Sequence, residues 1–221
     1  MTQPISEFSA PAADGSGAAA ALGLAPSDLA AAQEAGLPLP LPVQVGSSGV
    51  SFLFVPLATR AAVDRAELDF AKLSAFYADA GIGPAKGCFV FSLEQPSVAD
   101  SDAGADADAS GGDGMVVAYS RMFAPNLGIQ EDPATGSASG PLGCYLVRHG
   151  AVVGAAAANN ILNLQGVKMG RRSCIHISIG LGDEMADDGD GVNATITSVR
   201  VGGKSVVVGE GSVILPSSSS S

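Results

Sequence analysis

Glu131-Asp132-Pro133-Ala134-Thr135-Gly136-Ser137-Ala138 sets two carboxylates, two hydroxyls and a glycine directly ahead of an apolar, helix-like run that reaches Val147. That order suits a site for an anion and a proton at a helix mouth. The first turn of a helix carries N–H groups without intrahelical partners, and the helix dipole adds partial positive charge, so a carboxylate or phosphate is favoured there. Gly136 permits close backbone approach, and the Thr135 and Ser137 hydroxyls can cap the helix or reach a ligand. Asp132, held beside such a pocket, can exchange a proton with a bound small molecule. A plainer alternative stays open on spacing alone: Thr135 or Ser137 caps an ordinary helix, and the acids favour its dipole.

The elements that must position this segment read mostly as short strands. Residues 1–8 are expected to be extended and 9–17 a link. Short helices are expected at 18–22 and 27–35, the second set off by Pro26 and Gly36. Strands follow at 43–45 and 50–57. Phe70, Leu73, Phe76, Tyr77 and Ala80 recur at helical spacing and stop at Gly81. Residues 87–93 and 115–122 read as strands flanking an acidic insert. After the helix at 136–148, strands are expected at 160–167, 174–179, 192–201, 205–208 and 212–215. Repeated short strands with one apolar helix suit an α+β fold, a β-barrel-like roll around one central helix.

Charge and composition exclude several functions. Of 221 residues, 47% are hydrophobic and the net charge is −11. Ten of the 22 acids fall in two runs without Lys or Arg, five at 100–113 and five at 183–190, so the other 12 acids face 11 bases and the body is nearly neutral. Both runs read as solvated, mobile insertions. No basic stripe with interleaved aromatics supports nucleic-acid binding. No apolar run is long enough to span a bilayer and no signal-peptide pattern is present, so a cytoplasmic protein is the default. Cys88, Cys144 and Cys174 lack a C-x-x-C spacing and read as small buried hydrophobes. Gly202-Gly203-Lys204-Ser205 resembles a phosphate loop without the required upstream glycine and reads as a hairpin turn. Asp187-Asp188-Gly189-Asp190-Gly191 lacks the ligand pattern of a calcium loop, and Gly136-Ser137-Ala138-Ser139-Gly140 has Ala where a nucleophilic serine belongs.

Three segments carry a resemblance. Arg121-Met-Phe-Ala-Pro-Asn-Leu-Gly128-Ile-Gln-Glu131-Asp132-Pro-Ala-Thr-Gly-Ser-Ala138 resembles the second-half signature of the PhzF family, the phenazine-biosynthesis-like proteins of the diaminopimelate epimerase-like fold. Gln165-Gly166-Val167-Lys168-Met169-Gly170-Arg171-Arg172-Ser173 resembles that family's Gln-Gly-x-x-Met-Gly-Arg-Pro-Ser segment, with Arg172 where Pro is usual. Met1-Thr2-Gln3-Pro4, with Phe8 following, is similar to an internal family strand. The Asn-x-x-Glu-Thr context and the Gly-His pair of the family's first half do not occur here.

The resemblance implies one half of a diaminopimelate epimerase-like fold. Residues 1–17 are then a strand and linker left from the junction with a missing first half, 18–215 the C-terminal domain with the low-complexity insert at 96–114, and 216–221 a disordered Ser tail. It implies an isomerase that moves a proton on a small carboxylate-bearing substrate without cofactor or metal. Asp132 assists proton transfer or orients the substrate, Ser137 binds it, and Glu131, Thr135 and Gly136 complete the cradle. The principal acid–base Glu belongs to the absent half, so the isolated chain is expected to be inactive or weak. Two further readings stay open: a non-catalytic small-anion-binding or dimerisation domain, and a piece of a longer gene product. Residues 206–215 are expected to be an orphan apolar strand through which the chain self-associates.

Overall fold

A computed structural model describes residues 1–30, 40–95, 114–187 and 192–212. In chain order the elements are β1 (Thr2–Gln3), β2 (Glu7–Phe8), α1 (Ser16–Ala21), β3 (Gln44–Ser47), β4 (Ser51–Pro56), α2 (Arg60–Arg65), α3 (Phe70–Asp79), β5 (Gly87–Ser92), β6 (Val116–Ala124), β7 (Ile129–Asp132), α4 (Gly136–Arg148), α5 (Ala155–Ala158), β8 (Ile161–Gln165), β9 (Ser173–Asp187) and β10 (Val192–Gly202). Short 3₁₀ turns stand at Pro26–Asp28 and Pro125–Leu127.

Strand residues alternate between two apolar environments, which is why the strands read as apolar throughout. Phe52, Phe54, Phe89, Phe91, Ala118 and Met122 face one core with α4. Their neighbours Leu53, Val55, Cys88, Val90 and Val117 face a second core with α1, α2 and α3. Burying each large side chain contributes about 1.5–3 kcal/mol before the entropy of ordering is set against it.

The strands form one mixed sheet in the order β1-β10-β9-β8-β6-β5-β4-β3-β2, with β7 joined to β6. β4 pairs parallel with β5 and β6 with β8; the other pairings are antiparallel. Only Pro4, Ile5 and Ser6 separate β1 from β2, the two ends of this path. Four peptide steps span at most about 14 Å, so the sheet must curl until its edges approach one another. The curl packs β3, β4, β9 and β10 against α4, and every α4 residue from Ala138 to Val147 is buried. Close packing rests on glycines: a Cβ on Gly143 would stand 2.6 Å from Ile177 Cγ2, and one on Gly140 would meet the Gln3 side-chain amide.

Several expectations differ from the structure. The Ala-rich stretch expected as a helix at 27–35 begins as the Pro26–Asp28 turn, after which Leu29 bridges to Leu57; residues 31–39 lie outside the described residues. Backbone hydrogen bonds to the chain at the end of β4, Ala30 N–H to the Pro56 carbonyl and Ala58 N–H to the Asp28 carbonyl, override helix propensity there. Residues 205–208 form no strand, because β10 ends at Gly202 and no strand among the described residues continues its edge; Val206, Val207 and Val208 are 86, 86 and 96% exposed. The backbone at 183–187 belongs to β9 rather than to a loop. The insert at 96–113, the acids 188–190, and residues 213–221, which include most of the strand expected at 212–215, lie outside the described residues. Sequence periodicity missed α2, β7 and α5.

Candidate functional site at the mouth of α4

The Asp132–Gly136 turn is tied by hydrogen bonds at each step. Thr135 Oγ1 donates to Asp132 Oδ2 at 2.7 Å, and the Ala134 N–H donates to Asp132 Oδ1 at 3.4 Å. Gln165, the last residue of β8 and fully buried, reaches across to the same turn. Its Nε2 donates to the Asp132 carbonyl at 2.7 Å and to Thr135 Oγ1 at 2.8 Å, while its Oε1 accepts from the Thr135 N–H at 3.1 Å. Behind it a second buried chain runs from Ser120 Oγ to Asn163 Oδ1 at 2.6 Å, from Asn163 Nδ2 to Ser139 Oγ at 3.0 Å, and from Ser139 Oγ to the Thr135 carbonyl at 2.9 Å. Each buried polar group on this path has a partner, so the turn is held in one place.

Gly166, with φ +74°, makes the close approach possible: a Cβ there would meet the Arg171 carbonyl and stand 2.8 Å from the Pro133 carbonyl. A side chain would therefore push the Gln165–Gly166 corner away from the turn it supports.

The helix that follows has no side-chain cap. Thr135 is its N-cap, yet its hydroxyl is turned to Asp132. The Ala138 and Ser139 N–H groups bond to the Thr135 carbonyl. Those of Gly136 and Ser137 have no acceptor among the described residues. Ser137 is exposed and Gly136 half-buried. The structure thus brings Asp132, Thr135, Gly136 and Ser137 together, with two open amides beside a carboxylate.

Glu131 goes elsewhere. Adjacent strand residues point to opposite faces, and both Glu131 oxygens accept from Arg121, Nε and Nη2 each at 2.9 Å. Arg121 Nη1 also donates to the carbonyls of Val63, Asp64 and Ala66 at 3.0, 3.1 and 2.8 Å, satisfying the C-terminal end of α2. A bidentate pair on a cation that caps a helix end fixes β7 against α2.

An open groove of about 520 Å³ leads from Gly136 along Arg172, Cys174, His176, Gly202 and Lys204. Its described lining includes the Arg172, His176 and Lys204 side chains. Sequence reasoning missed Gln165, Arg121 and these groove residues as parts of the site. The segment Gln165 to Ser173 contains two of them, and Lys204 lies where a hairpin turn is expected but does not form, because β10 ends at Gly202 and no strand follows among the described residues.

Two of the three cysteines lie away from the groove. Cys88 and Cys144 are buried, and burial pushes the Cys88 thiol up to about 12 and raises that of Cys144, so both remain protonated. Cys174 is half-buried, packs against the second core and lines the groove.

Comparison with known proteins identifies the family. The phenazine biosynthesis-like protein family model matches residues 7–211, and the chain belongs to that family. It is 40% identical over 96 residues to the trans-2,3-dihydro-3-hydroxyanthranilate isomerase of Pseudomonas chlororaphis, covering 43% of this chain and 30% of that protein. It is 29% identical over 147 residues to the uncharacterized isomerase YddE of Escherichia coli O157:H7, covering 66% of this chain and 42% of that protein. The crystal structure of a Bacillus anthracis phenazine biosynthesis protein of the PhzF family shares the fold, with a TM-score of 0.59 at 17% identity over 90% of this chain and 55% of that one. A predicted epimerase from Pseudomonas aeruginosa superimposes with a TM-score of 0.57 at 28% identity over 92% of this chain and 54% of that one. The chain spans less than half the length of these sequence relatives and about half of these structural ones.

Proposed function

We propose that the chain forms one wall of an isomerase that moves a proton on a small carboxylate-bearing substrate without cofactor or metal. The supporting observation is the direction of the Thr135 hydroxyl: by donating to Asp132 it leaves the Ser137 amide open, next to the open amide of Gly136 at the end of the groove. Those amides and the helix dipole hold the substrate carboxylate. The Ser137 hydroxyl binds the substrate, Thr135 orients Asp132, and Asp132 takes or returns a proton at substrate carbon. Glu131 contributes to the cradle through Arg121, which fixes β7 and so the position of Asp132. In this reading α4 is the central helix of a roll that constitutes half of the complete fold, residues 18–215 are its domain, and a second acid–base carboxylate comes from a complementary half. The reaction is balanced as an isomerisation: the proton removed from one carbon is delivered to another, or to the opposite face of the same one.

Substrates built like trans-2,3-dihydro-3-hydroxyanthranilate, on which the Pseudomonas relative acts by name, offer a carboxylate next to an acidic C–H. The aromatic 3-hydroxyanthranilate has the same skeleton and serves as a binding probe. Joined to a first half from the family and placed in deuterium oxide, the chain is expected to exchange the substrate C–H. Asp132→Ala should lower that rate by about 10²–10⁴-fold, the range for loss of a general acid or base. Exchange that survives unchanged in both Asp132→Ala and Ser137→Ala would contradict the assignment.

A second reading is a small-anion-binding domain without catalysis, which the Gly136 and Ser137 amides without an acceptor among the described residues serve equally. It predicts probe binding but no exchange in any pairing. We place the protein in the cytoplasm, and we propose that a second copy pairs with the exposed segment Val206-Val207-Val208. Light scattering showing a monomer at high concentration would refute that pairing.

A further inference from the structure

We infer that Gln165 sets the direction of the hydrogen bonds at the α4 mouth, and that this direction keeps the Ser137 amide available to an anion. The inference rests on the reading of that mouth as a carboxylate site. The Thr135 backbone N–H can only donate, so the group 3.1 Å from it must be the Gln165 side-chain oxygen. Nε2 then faces the Asp132 carbonyl at 2.7 Å and Thr135 Oγ1 at 2.8 Å, and because an amide nitrogen only donates, both of its hydrogens are used.

Thr135 Oγ1 therefore accepts from Gln165, and its own proton goes to Asp132 Oδ2, 2.7 Å away. In that rotamer the hydroxyl cannot serve as the N-cap of α4, the role a threonine at this position ordinarily fills. Gln165 is 0% exposed, so water cannot stand in for its amide. Its place is also stiff. It pairs with Ser173 on one side and Ser120 on the other, at the end of β8. The next residue, Gly166, is clamped between the Arg171 and Pro133 carbonyls. Fully buried behind the turn, Gln165 is a positioning residue that acts through Thr135.

The test is amide hydrogen exchange combined with binding of 3-hydroxyanthranilate by nuclear magnetic resonance on the full chain. In the unaltered chain the Ser137 amide should exchange at close to the rate of an unstructured peptide; strong protection there overturns the inference without any substitution. Gln165→Met keeps the length and removes the hydrogen bonds, which frees the Thr135 hydroxyl to cap Ser137. Exchange at Ser137 should then slow, and probe affinity fall, by about fivefold to tenfold, the worth of one cap.

The double variant Gln165→Met with Thr135→Val has no hydroxyl to form that cap. It should recover the original Ser137 exchange rate. A merely structural role for Gln165 predicts instead that Ser137 exchange in the double variant stays as it is in the single one, and that result overturns the inference. If the unaltered chain fails to bind the probe while the exchange pattern appears, the carboxylate reading fails and the hydrogen-bond direction stands. If the probe binds and Gln165→Met changes neither exchange nor affinity, the inference fails and the carboxylate reading stands.

Discussion

At its C-terminal end α4 presents Tyr145 to Phe54, Phe91 and Phe8, with ring centroids 5.6, 5.7 and 6.3 Å away, whereas at its N-terminal end it presents open amides and a turn held by hydrogen bonds. The Tyr145 hydroxyl is spent on the Pro42 carbonyl at 2.5 Å. The Thr135 hydroxyl is spent on a carboxylate that has no other charge partner among the described residues. One end of the helix buries surface and donates its polar atoms to the fold; the other leaves polar atoms turned toward solvent. Stability and binding should therefore separate along a single helix, and substitutions can show whether they do.

Tyr145→Ala is expected to have the largest effect, a loss of about 3–5 kcal/mol in chemical denaturation, because it empties a fully buried aromatic site. A loss below about 1 kcal/mol would mean that this end is not the anchor the ring contacts imply. Gly143→Ala comes next. Its methyl group would stand 2.6 Å from Ile177 Cγ2 and 2.8 Å from Ile179 Cδ1, and overpacking of this kind costs about 1–3 kcal/mol. Unchanged stability would show that α4 and β9 can separate freely.

A smaller effect is expected from acid at the same end. Burial, then the neighbouring Arg148, pushes His149 down to about 4. Its Nε2–H donates to Gln44 Oε1 at 2.7 Å, because Gln44 Nε2 already donates to the Ser9 carbonyl. The unfolded chain, with an ordinary imidazole near 6.5, takes up a proton first as pH falls. The stabilisation is therefore complete above about pH 6.5 and drains between 6.5 and 4, by about 1–2 kcal/mol once solvent screening is allowed for. A melting temperature that falls over that window in the parent chain but not in His149→Gln would confirm the source. The smallest stability change belongs to the mouth: Ser137→Ala should stay within about 0.5 kcal/mol, since the side chain is exposed and makes no cap. The same variant should weaken probe binding, and a loss of stability without a loss of binding would reverse the comparison.

The sequence made the two ends legible to different degrees. The span of α4 was readable to the residue, because apolar spacing from Leu142 to Val147 and the Thr-Gly-Ser entry agree with one another, despite Pro141 inside the helix. The turn at Asp132 was readable as a unit. Its support was not: Gln165 lies 30 residues from Thr135, and only the sheet register brings it there. Glu131 showed a charge beside Asp132 but not that the pleat sends it the other way, toward Arg121. α2 has six residues, too few for a periodic signal, and depends on the Thr59 cap and on the Arg121 guanidinium at its end. The valines at 206–208 carry strong strand propensity, yet a strand needs a neighbour, and none of the described strands lies beside them.

The most direct test of the account is a titration of the isotope-labelled chain with the carboxylate probe, read at every backbone amide. The account predicts saturable shifts at Gly136 and Ser137 and along the groove at Arg172 and His176, with the Tyr145–His149 end unmoved. Binding that leaves Gly136 and Ser137 unshifted, or shifts that centre on the aromatic end, would contradict it.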